Sequence, residues 1–458
     1  MCGIFGVQGH PDAVYLTHLG LYSLQHRGQE SYGIVTVDAE GGSHAVRSMG
    51  LVSDAPDAAA APGPVAIGHT RYSTAGSSTI ENAQPVLVRS RGGHIGLAHN
   101  GNLTNAAELR MDLENAGSIF ASTMDSEVIV HRLARSAATS PAERLADALQ
   151  GVDGAYSLVV ILGDTLLAAR DPRGWRPLVM GRLNGAVLFA SETCALDIVG
   201  ATYEREVEPG EVVAVAPDGT IASSFPLERK ELRRCVFEHV YFARPDSRIF
   251  GGSVDRARRA LGHRLATEAP APTADLVFAV PDSSNSAALG FAEASGLPYE
   301  LALIRNHYVG RTFIQPSQAN RDAKVKVKYN AVREVLEGKR VVMVDDSIVR
   351  GTTTRGLVSL IRGAGAREVH MRVSSPPITG PCYYGIDTPN REELIAANLS
   401  IPEIAEHLGV DSLGYISLEG MLAAVPGGPE GFCHACFSGD YPTPPPADPD
   451  KLRLGCGC

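Results

Sequence analysis

Val341-Val342-Met343-Val344-Asp345-Asp346-Ser347-Ile348-Val349-Arg350-Gly351-Thr352-Thr353-Thr354 is the stretch whose reading decides the fold. Its four opening apolar residues, three of them β-branched, read as a strand covered on both faces, as strands of parallel sheets are. Two acids follow, then a turn rich in Gly and hydroxyls, and then Leu357, Leu360 and Ile361 at helical spacing. The order is strand, polar loop, helix. In an open parallel sheet, ligands sit beyond the carboxyl ends of the strands. A loop that opens a helix offers unpaired backbone N–H groups to a phosphate. Paired acids beside it suit ribose hydroxyls or a divalent cation, which prefers oxygen ligands. The stretch therefore predicts a phosphosugar site in preference to a solvated acidic turn.

A second loop of the same kind lies upstream. The strand Asp275-Leu276-Val277-Phe278-Ala279-Val280 ends in Pro281-Asp282-Ser283-Ser284-Asn285-Ser286, ahead of a small apolar helix from Ala287 to Ala294. Two such loops can hold the two ends of one elongated polyphosphate. Neither a Walker A nor a Rossmann glycine fingerprint is present. Between the loops runs a long polar stretch, Asn306 to Gln318, followed by Arg321, Lys324, Lys326 and Lys328. Inside a compact domain such a stretch reads as a lid, although Lys324 to Lys328 also alternates like an edge strand guarded by lysines.

At 458 residues the chain is long for one domain. A charged stretch at Pro226 to Glu231 marks the boundary, giving units 2–230 and 231–458. The formal charge of −10 argues against a nucleic-acid surface. No apolar run is long enough to span a membrane, and the N-terminus lacks the basic start and apolar core of a signal peptide. Eight irregularly spread cysteines are not a secreted disulfide framework. The expectation is a cytoplasmic protein.

Met1-Cys2-Gly3-Ile4-Phe5-Gly6-Val7 places a cysteine second in the chain, ahead of a strand. Once Met1 is removed, Cys2 carries a thiol and a free α-amine, and the amine can serve as base for its own nucleophile. A retained Met1 would lock that nitrogen in a peptide bond. Three further segments follow: Leu24 to Ile34 (LQHRGQESYGI), Gly68 to Thr74 (GHTRYST) and Leu97 to Asn105 (LAHNGNLTN). Together they resemble the class II, N-terminal-nucleophile glutamine amidotransferase domain, which implies an αββα sandwich. The resemblance makes Cys2 the nucleophile that forms a γ-glutamyl thioester and Asn100 with the Gly101 N–H the oxyanion hole. Arg71 becomes the fork for the glutamine α-carboxylate. Asp125 becomes the partner of the α-ammonium, with helix capping as its structural alternative. Arg27 and Gly28 become site-adjacent loop residues, and Arg27 serves equally well as an ion-pair partner. Tyr156 to Leu162, Ala168 to Gly174, Arg176 to Leu178 and Phe189 to Thr193 read as scaffold. His69, His94 and His99 lack a metal spacing and read as core or wall residues.

The second half resembles a type I phosphoribosyltransferase. By that resemblance Asp345 and Asp346 engage the ribose or Mg²⁺ of phosphoribosyl pyrophosphate (PRPP). Arg350, Gly351, Thr352, Thr353 and Thr354 cradle the 5-phosphate, Ser347 belongs to the same PRPP site, and Pro281 to Ser284, with Asp282, Ser283 and Ser284, looks like the pyrophosphate loop. Ser283, Asp345 and Asp346 lie nearest the Mg²⁺, and Lys326 belongs to a loop that closes over PRPP. The two halves in one chain are the arrangement of the glutamine PRPP amidotransferase family. The implied reaction converts PRPP, glutamine and water into 5-phosphoribosylamine, pyrophosphate and glutamate, the first step of de novo purine synthesis. A closed, mostly apolar passage between the sites is expected, since ammonia must cross unprotonated. Purine nucleotides as feedback inhibitors and a homotetramer are further implications.

Cys235, Cys382, Cys433 and Cys436 stand in contexts that resemble the branch of this family carrying a [4Fe–4S] cluster, with zinc as the alternative occupant. Cys194 reads as buried and inert, and Cys456 and Cys458 fit no assigned role. The rival reading is a regulator of the same fold that senses PRPP or redox state without catalysis. The complete set Cys2, Arg71, Asn100, Gly101 and Asp125 speaks against it.

Overall fold

The strand Gly3–Gln8 is buried at every position and pairs antiparallel with Val65–Arg71 on one side and Ala186–Ala190 on the other. These are the middle of a seven-stranded sheet in the computed structural model, which describes residues 1–53, 61–73, 76–307, 327–388, 390–446 and 454. A six-stranded antiparallel sheet lies against it, centred on Gly93–Leu103, Gly154–Leu162 and Thr165–Arg170. The period of two along each strand sends alternate residues to different layers. Ile4, Ile67 and Phe189 of the first sheet meet Ala98, Val159 and Ile161 of the second in the space between them. Phe5 and Leu188 face outward under the helix Ala13–Ser23, and Leu158 and Val160 face outward under the helices Glu127–Arg135 and Pro141–Leu149. The result is an αββα sandwich, as the resemblance implied.

The second half is built on a parallel sheet in the order Leu276–Ala279, Arg340–Asp345, Glu368–Val373, Ser412–Tyr415. Val342 and Val344 pack with Leu261, Leu265 and Phe291 on one face. Val341 and Met343 pack with Leu357, Ile361 and Ile404 on the other. Helices on both faces explain why Val341 to Val344 is apolar without alternation. The helix expected at Ala287 to Ala294 runs Asn285–Ser295 and stops at Gly296, whose φ of 72° is the left-handed end glycine supplies.

Between Ser224, the last strand residue of the sandwich, and Arg234 the chain has no regular structure. Arg234–Cys235 then pairs in parallel with Phe432–Cys433, bringing the C-terminal segment back to the junction. Among the described residues no helix is long and apolar enough to cross a membrane.

Candidate active site

Cys2 ends up 6% exposed where the first strand enters the sandwich. Its thiol lies 3.6 Å from the Tyr72 carbonyl, its N–H donates to Asn100 Oδ1 at 3.3 Å, and its carbonyl accepts from Arg27 Nε at 2.9 Å. The register Gly3↔Thr70 brings Arg71 and Tyr72 alongside. Arg71 is buried, donates to the Ser77 carbonyl at 3.0 Å and lies 3.9 Å from Glu30. Gly28 crosses this strand end so closely that a Cβ would sit 2.6 Å from the Thr70 carbonyl carbon. Only glycine fits there.

Asn100 and Gly101 lie on Gly93–Leu103, opposite Ser157 and Tyr156. Gly101 has φ of 155°, and a Cβ on it would run into the Ala155 carbonyl. Asn100 Nδ2 is buried and has no hydrogen-bond partner among the described residues. A buried amide donor without a partner is costly, and here it lies beside a thiol. A donor so placed is available to an oxyanion formed at that thiol.

Asp125 does not cap the following helix as its structural alternative supposed. Ser126 occupies the N-cap position, without a side-chain cap. The Asp125 carboxylate accepts from Leu103 N at 2.9 Å and Ser126 Oγ at 3.2 Å, fastening the far end of the Asn100 strand. His99 binds Ser126 Oγ at 2.9 Å, and buried His69 contacts the His99 carbonyl at 3.0 Å, with its pKa pushed down to about 3 by burial. His94 contacts Ser43 Oγ at 2.8 Å. Cys194 is buried, and its thiol is pushed up to about 12 by that burial.

In the second half, Gly351 adopts φ of 74° and opens the helix Thr352–Gly363, with no side chain capping its first turn. The two loops predicted from sequence meet. Ser283 Oγ donates to Asp346 at 2.6 Å, Ser284 Oγ to Asp345 at 3.2 Å, and Ser347 Oγ to Asp346 at 2.6 Å. Asp345 is 8% and Asp346 5% exposed. Burial, then the neighbouring Asp346 charge, raises Asp345 well above the usual carboxylate range; burial also raises Asp346, against the hydrogen bonds from Ser283 and Ser347. Two adjacent buried acids that resist ionisation are a donor set a divalent cation would relieve. Asp282 turns outward to Arg305 at 2.7 Å, and Arg350 pairs with Glu393 at 2.7 Å. Lys326 and most of the expected lid fall outside the described residues.

A cavity of about 370 Å³ joins the halves. At one end lie His26, Arg27 and Tyr72, and at the other Ser283, Asp345, Asp346, Ser347 and Arg350 to Thr354. Phe237, Phe242, Ile378 and Ile386 add apolar side chains to its lining.

Cys235 and Cys433 are register partners and buried. The Cys436 thiol is raised by burial and by the neighbouring charges of Cys382, Cys235 and Cys433, so the four sulfurs share one neighbourhood. Among the described residues no three His, Cys, Asp or Glu side chains converge as ligands of a single metal ion would. The C-terminal segment is pinned there as well: Tyr441 Oη donates to the Pro381 carbonyl at 2.7 Å and Tyr384 Oη to the Thr443 carbonyl at 3.0 Å.

Arg27, read as a site-adjacent residue, and Arg176 and Glu192, read as scaffold, hold the halves together. Arg27 is fully buried and pairs with Glu192 and with Glu238 of the second half, the ion-pair alternative considered for it. Arg176 donates twice to the Tyr384 carbonyl, at 3.1 and 2.6 Å, and its Nη1 lies 2.6 Å from Met1 Sδ. Glu192 also accepts from Ser247 Oγ at 2.7 Å. Burial alone would raise Glu192, but His26 and Arg27 hold it below the usual range. Charged residues far apart in sequence give no signal of such pairing, so these contacts were not legible beforehand.

Comparison with known proteins agrees with this geometry. Residues 69–197 match the family model described as glutamine amidotransferase domain. Amidophosphoribosyltransferase 1, chloroplastic, of Arabidopsis thaliana is 53% identical over 97% of this chain and 79% of its own length. The amidophosphoribosyltransferase of Bacillus subtilis is 50% identical over 96% of this chain and 94% of its own. The solved structure of glutamine PRPP amidotransferase from B. subtilis, complexed with ADP and GMP, superposes with a TM-score of 0.91 at 48% identity, covering 99% of this chain and 100% of that one. Fold and site thus define a glycosyltransferase joined to a glutamine amidotransferase. The chain belongs to the amidophosphoribosyltransferase family.

Proposed function

We propose that this chain moves the amide nitrogen of glutamine to C1 of PRPP, giving 5-phosphoribosylamine, pyrophosphate and glutamate, with the roles below. The observation that carries the reading is the cavity running from Tyr72, whose carbonyl faces the Cys2 thiol, to the Asp345–Thr354 loop. With Met1 removed, the Cys2 amine takes the thiol proton and the sulfur attacks the glutamine amide carbon. Asn100 Nδ2 and Gly101 N–H receive the oxyanion, the Cys2 ammonium passes its proton to the leaving nitrogen, and collapse of the adduct expels ammonia and leaves a thioester that water cleaves to glutamate. Arg71 holds the α-carboxylate and Asp125 the α-ammonium. Arg27 and Gly28 shape the rim. Ammonia crosses the cavity and attacks C1 as pyrophosphate departs.

In the second site Thr352, Thr353, Thr354, Gly351, Arg350 and Ser347 take the 5-phosphate, while Asp282, Ser283 and Ser284 present the pyrophosphate loop. Lys326 acts from the lid. Asp345, Asp346 and Ser283 would hold Mg²⁺, which supplies charge neutralisation of the pyrophosphate. Cys235, Cys382, Cys433 and Cys436 would hold a [4Fe–4S] cluster that fastens the C-terminal segment. What supports a thiolate-held group here is that the Cys436 thiol is raised by burial and by Cys382, Cys235 and Cys433 around it, with zinc as the alternative occupant. The reading includes a cytoplasmic homotetramer and inhibition by purine nucleotides; the ADP and GMP complex of the B. subtilis relative supports the nucleotide part alone.

Cys2→Ala tests the assignment. Glutamine-dependent phosphoribosylamine formation should vanish while ammonia-dependent formation persists. Undiminished use of glutamine by Cys2→Ala refutes the nucleophile.

A further inference from the structure

Gly385 belongs to the second half, yet its backbone lies against Gly101. A Cβ on Gly385 would sit 2.9 Å from the Gly101 carbonyl carbon and 3.0 Å from its Cα, and Gly385 itself adopts φ of 108°. Two residues earlier the same turn makes a second contact: Asn102 Nδ2 donates to the Tyr383 carbonyl at 2.8 Å. Consecutive residues of the strand end that carries Asn100 are thus held from outside their own sheet, one by van der Waals contact and one by a hydrogen bond.

The turn is itself held on three sides. Tyr384 stacks on Trp175 with ring centroids 3.9 Å apart, its carbonyl accepts two bonds from Arg176, and its N–H lies 3.4 Å from Cys382 Sγ. Past Gly385 the chain continues as Ile386, Asp387 and Thr388 along the cavity shared with the transferase loop.

We propose that the Tyr383–Gly385 turn is the positioning element of the glutaminase oxyanion hole, acting through Gly385 on Gly101 and through Tyr383 on Asn102. The proposal rests on the oxyanion roles of Asn100 and Gly101 given above. An oxyanion hole works only when its donors meet the oxygen of the tetrahedral adduct. Gly101 is held within its sheet by the register with Tyr156, and Gly385 bounds the same backbone from outside the sheet. Neither Gly385 nor Asn102 lines the cavity, and both act through Gly101 and Asn100's strand, as positioning residues do.

The test is Gly385→Ala, with Asn102→Ala as the milder variant, each loaded and assayed as the full chain. A positional defect should lower kcat for glutamine by about 10- to 100-fold, the cost of a misplacement of up to about 1 Å, with KM for glutamine and the ammonia-dependent rate within about twofold of wild type. The second readout is the γ-aldehyde analogue of glutamine. Cys2 sulfur adds to its carbonyl carbon, the C=O pair moves onto oxygen, and that oxygen keeps the charge or takes the thiol proton, with no leaving group. Affinity for the aldehyde should fall in step with kcat, whereas alkylation of Cys2 by iodoacetamide, which needs no oxyanion hole, should proceed at the wild-type rate. A folded Gly385→Ala protein with unchanged kcat for glutamine, or with unchanged aldehyde affinity, overturns the proposal. Where Gly385→Ala does not fold, Asn102→Ala decides by the same readouts. Cys2→Ala in the same series separates the two claims: if it still uses glutamine, the nucleophile assignment fails, and if it does not while the turn variants behave as wild type, only the positioning role fails.

Discussion

Arg27 and Glu238 form a fully buried bidentate ion pair across the two halves, at 2.8 and 3.0 Å. Arg27 is at the same time the donor to the Cys2 carbonyl, so the pair ties Cys2 to the transferase half. Removing Glu238 leaves Arg27 with Glu192 alone and takes away the carboxylate 3.4 Å from buried Arg176, and breaking a buried pair costs up to about 3–5 kcal/mol. Glu238→Gln should therefore melt at lower temperature and lose glutamine-dependent activity more than ammonia-dependent activity. Equal loss with both nitrogen donors would place the pair in general stability alone.

Asp346 sits where the two transferase loops meet, accepting from Ser283 and Ser347. An amide in its place keeps the size but not the charge. Asp346→Asn should lower kcat/KM for PRPP by about 100-fold or more with either glutamine or ammonia, since the amide lacks the charge with which Asp346 would hold the proposed Mg²⁺ and, through it, neutralise departing pyrophosphate. Glutamine hydrolysis measured without PRPP should stay near wild type. Parallel loss of that hydrolysis would contradict the separation of the two sites.

The transferase sheet was legible because both faces of Val341 to Val344 are covered, which writes an unbroken apolar run followed by a polar loop. Gly28 and Gly101 were legible through the motifs that carry them, and the structure supplies the reason: a Cβ at either position meets backbone. The Tyr383–Gly385 turn was not legible as part of the glutaminase. Its contacts with Gly101 and Asn102 span some 280 residues, |i−j| being 281 for the Asn102 bond, and no local pattern encodes such a pairing. Glu192, Arg176 and Glu238 escaped for the same reason: an ion pair is a property of two positions, and sequence periodicity reports only one element at a time.

Trp175 is the only tryptophan in the chain, and it is 1% exposed within the apolar cluster that includes Cys382 and Cys433. Cys235 N–H donates to its carbonyl at 3.1 Å. Anaerobic reconstitution should introduce about four iron and four sulfide per chain, with broad visible absorption and quenching of Trp175 fluorescence. Removing the iron with a chelator should restore the fluorescence and speed proteolysis of the segment held by Tyr384 and Tyr441. Zinc in the same sulfurs would leave the visible spectrum blank, and Cys436→Ser should fail to take up the full complement.

Asp171 is 1% exposed, and burial pushes its pKa up to about 6 despite hydrogen bonds from the N–H groups of Arg173, Trp175 and Tyr156. A carboxyl whose folded pKa lies above its unfolded value binds its proton more tightly in the folded state. Its contribution to stability is thus complete below about pH 4 and is lost as pH rises through 6. The shift corresponds to about 3 kcal/mol across that window. Asp171→Asn carries no titrating proton, so the wild type should lose stability relative to this variant between pH 4 and pH 7. Chemical denaturation of the two proteins at several pH values measures the difference, and a gap that does not change with pH would show that Asp171 is ionised in the fold throughout.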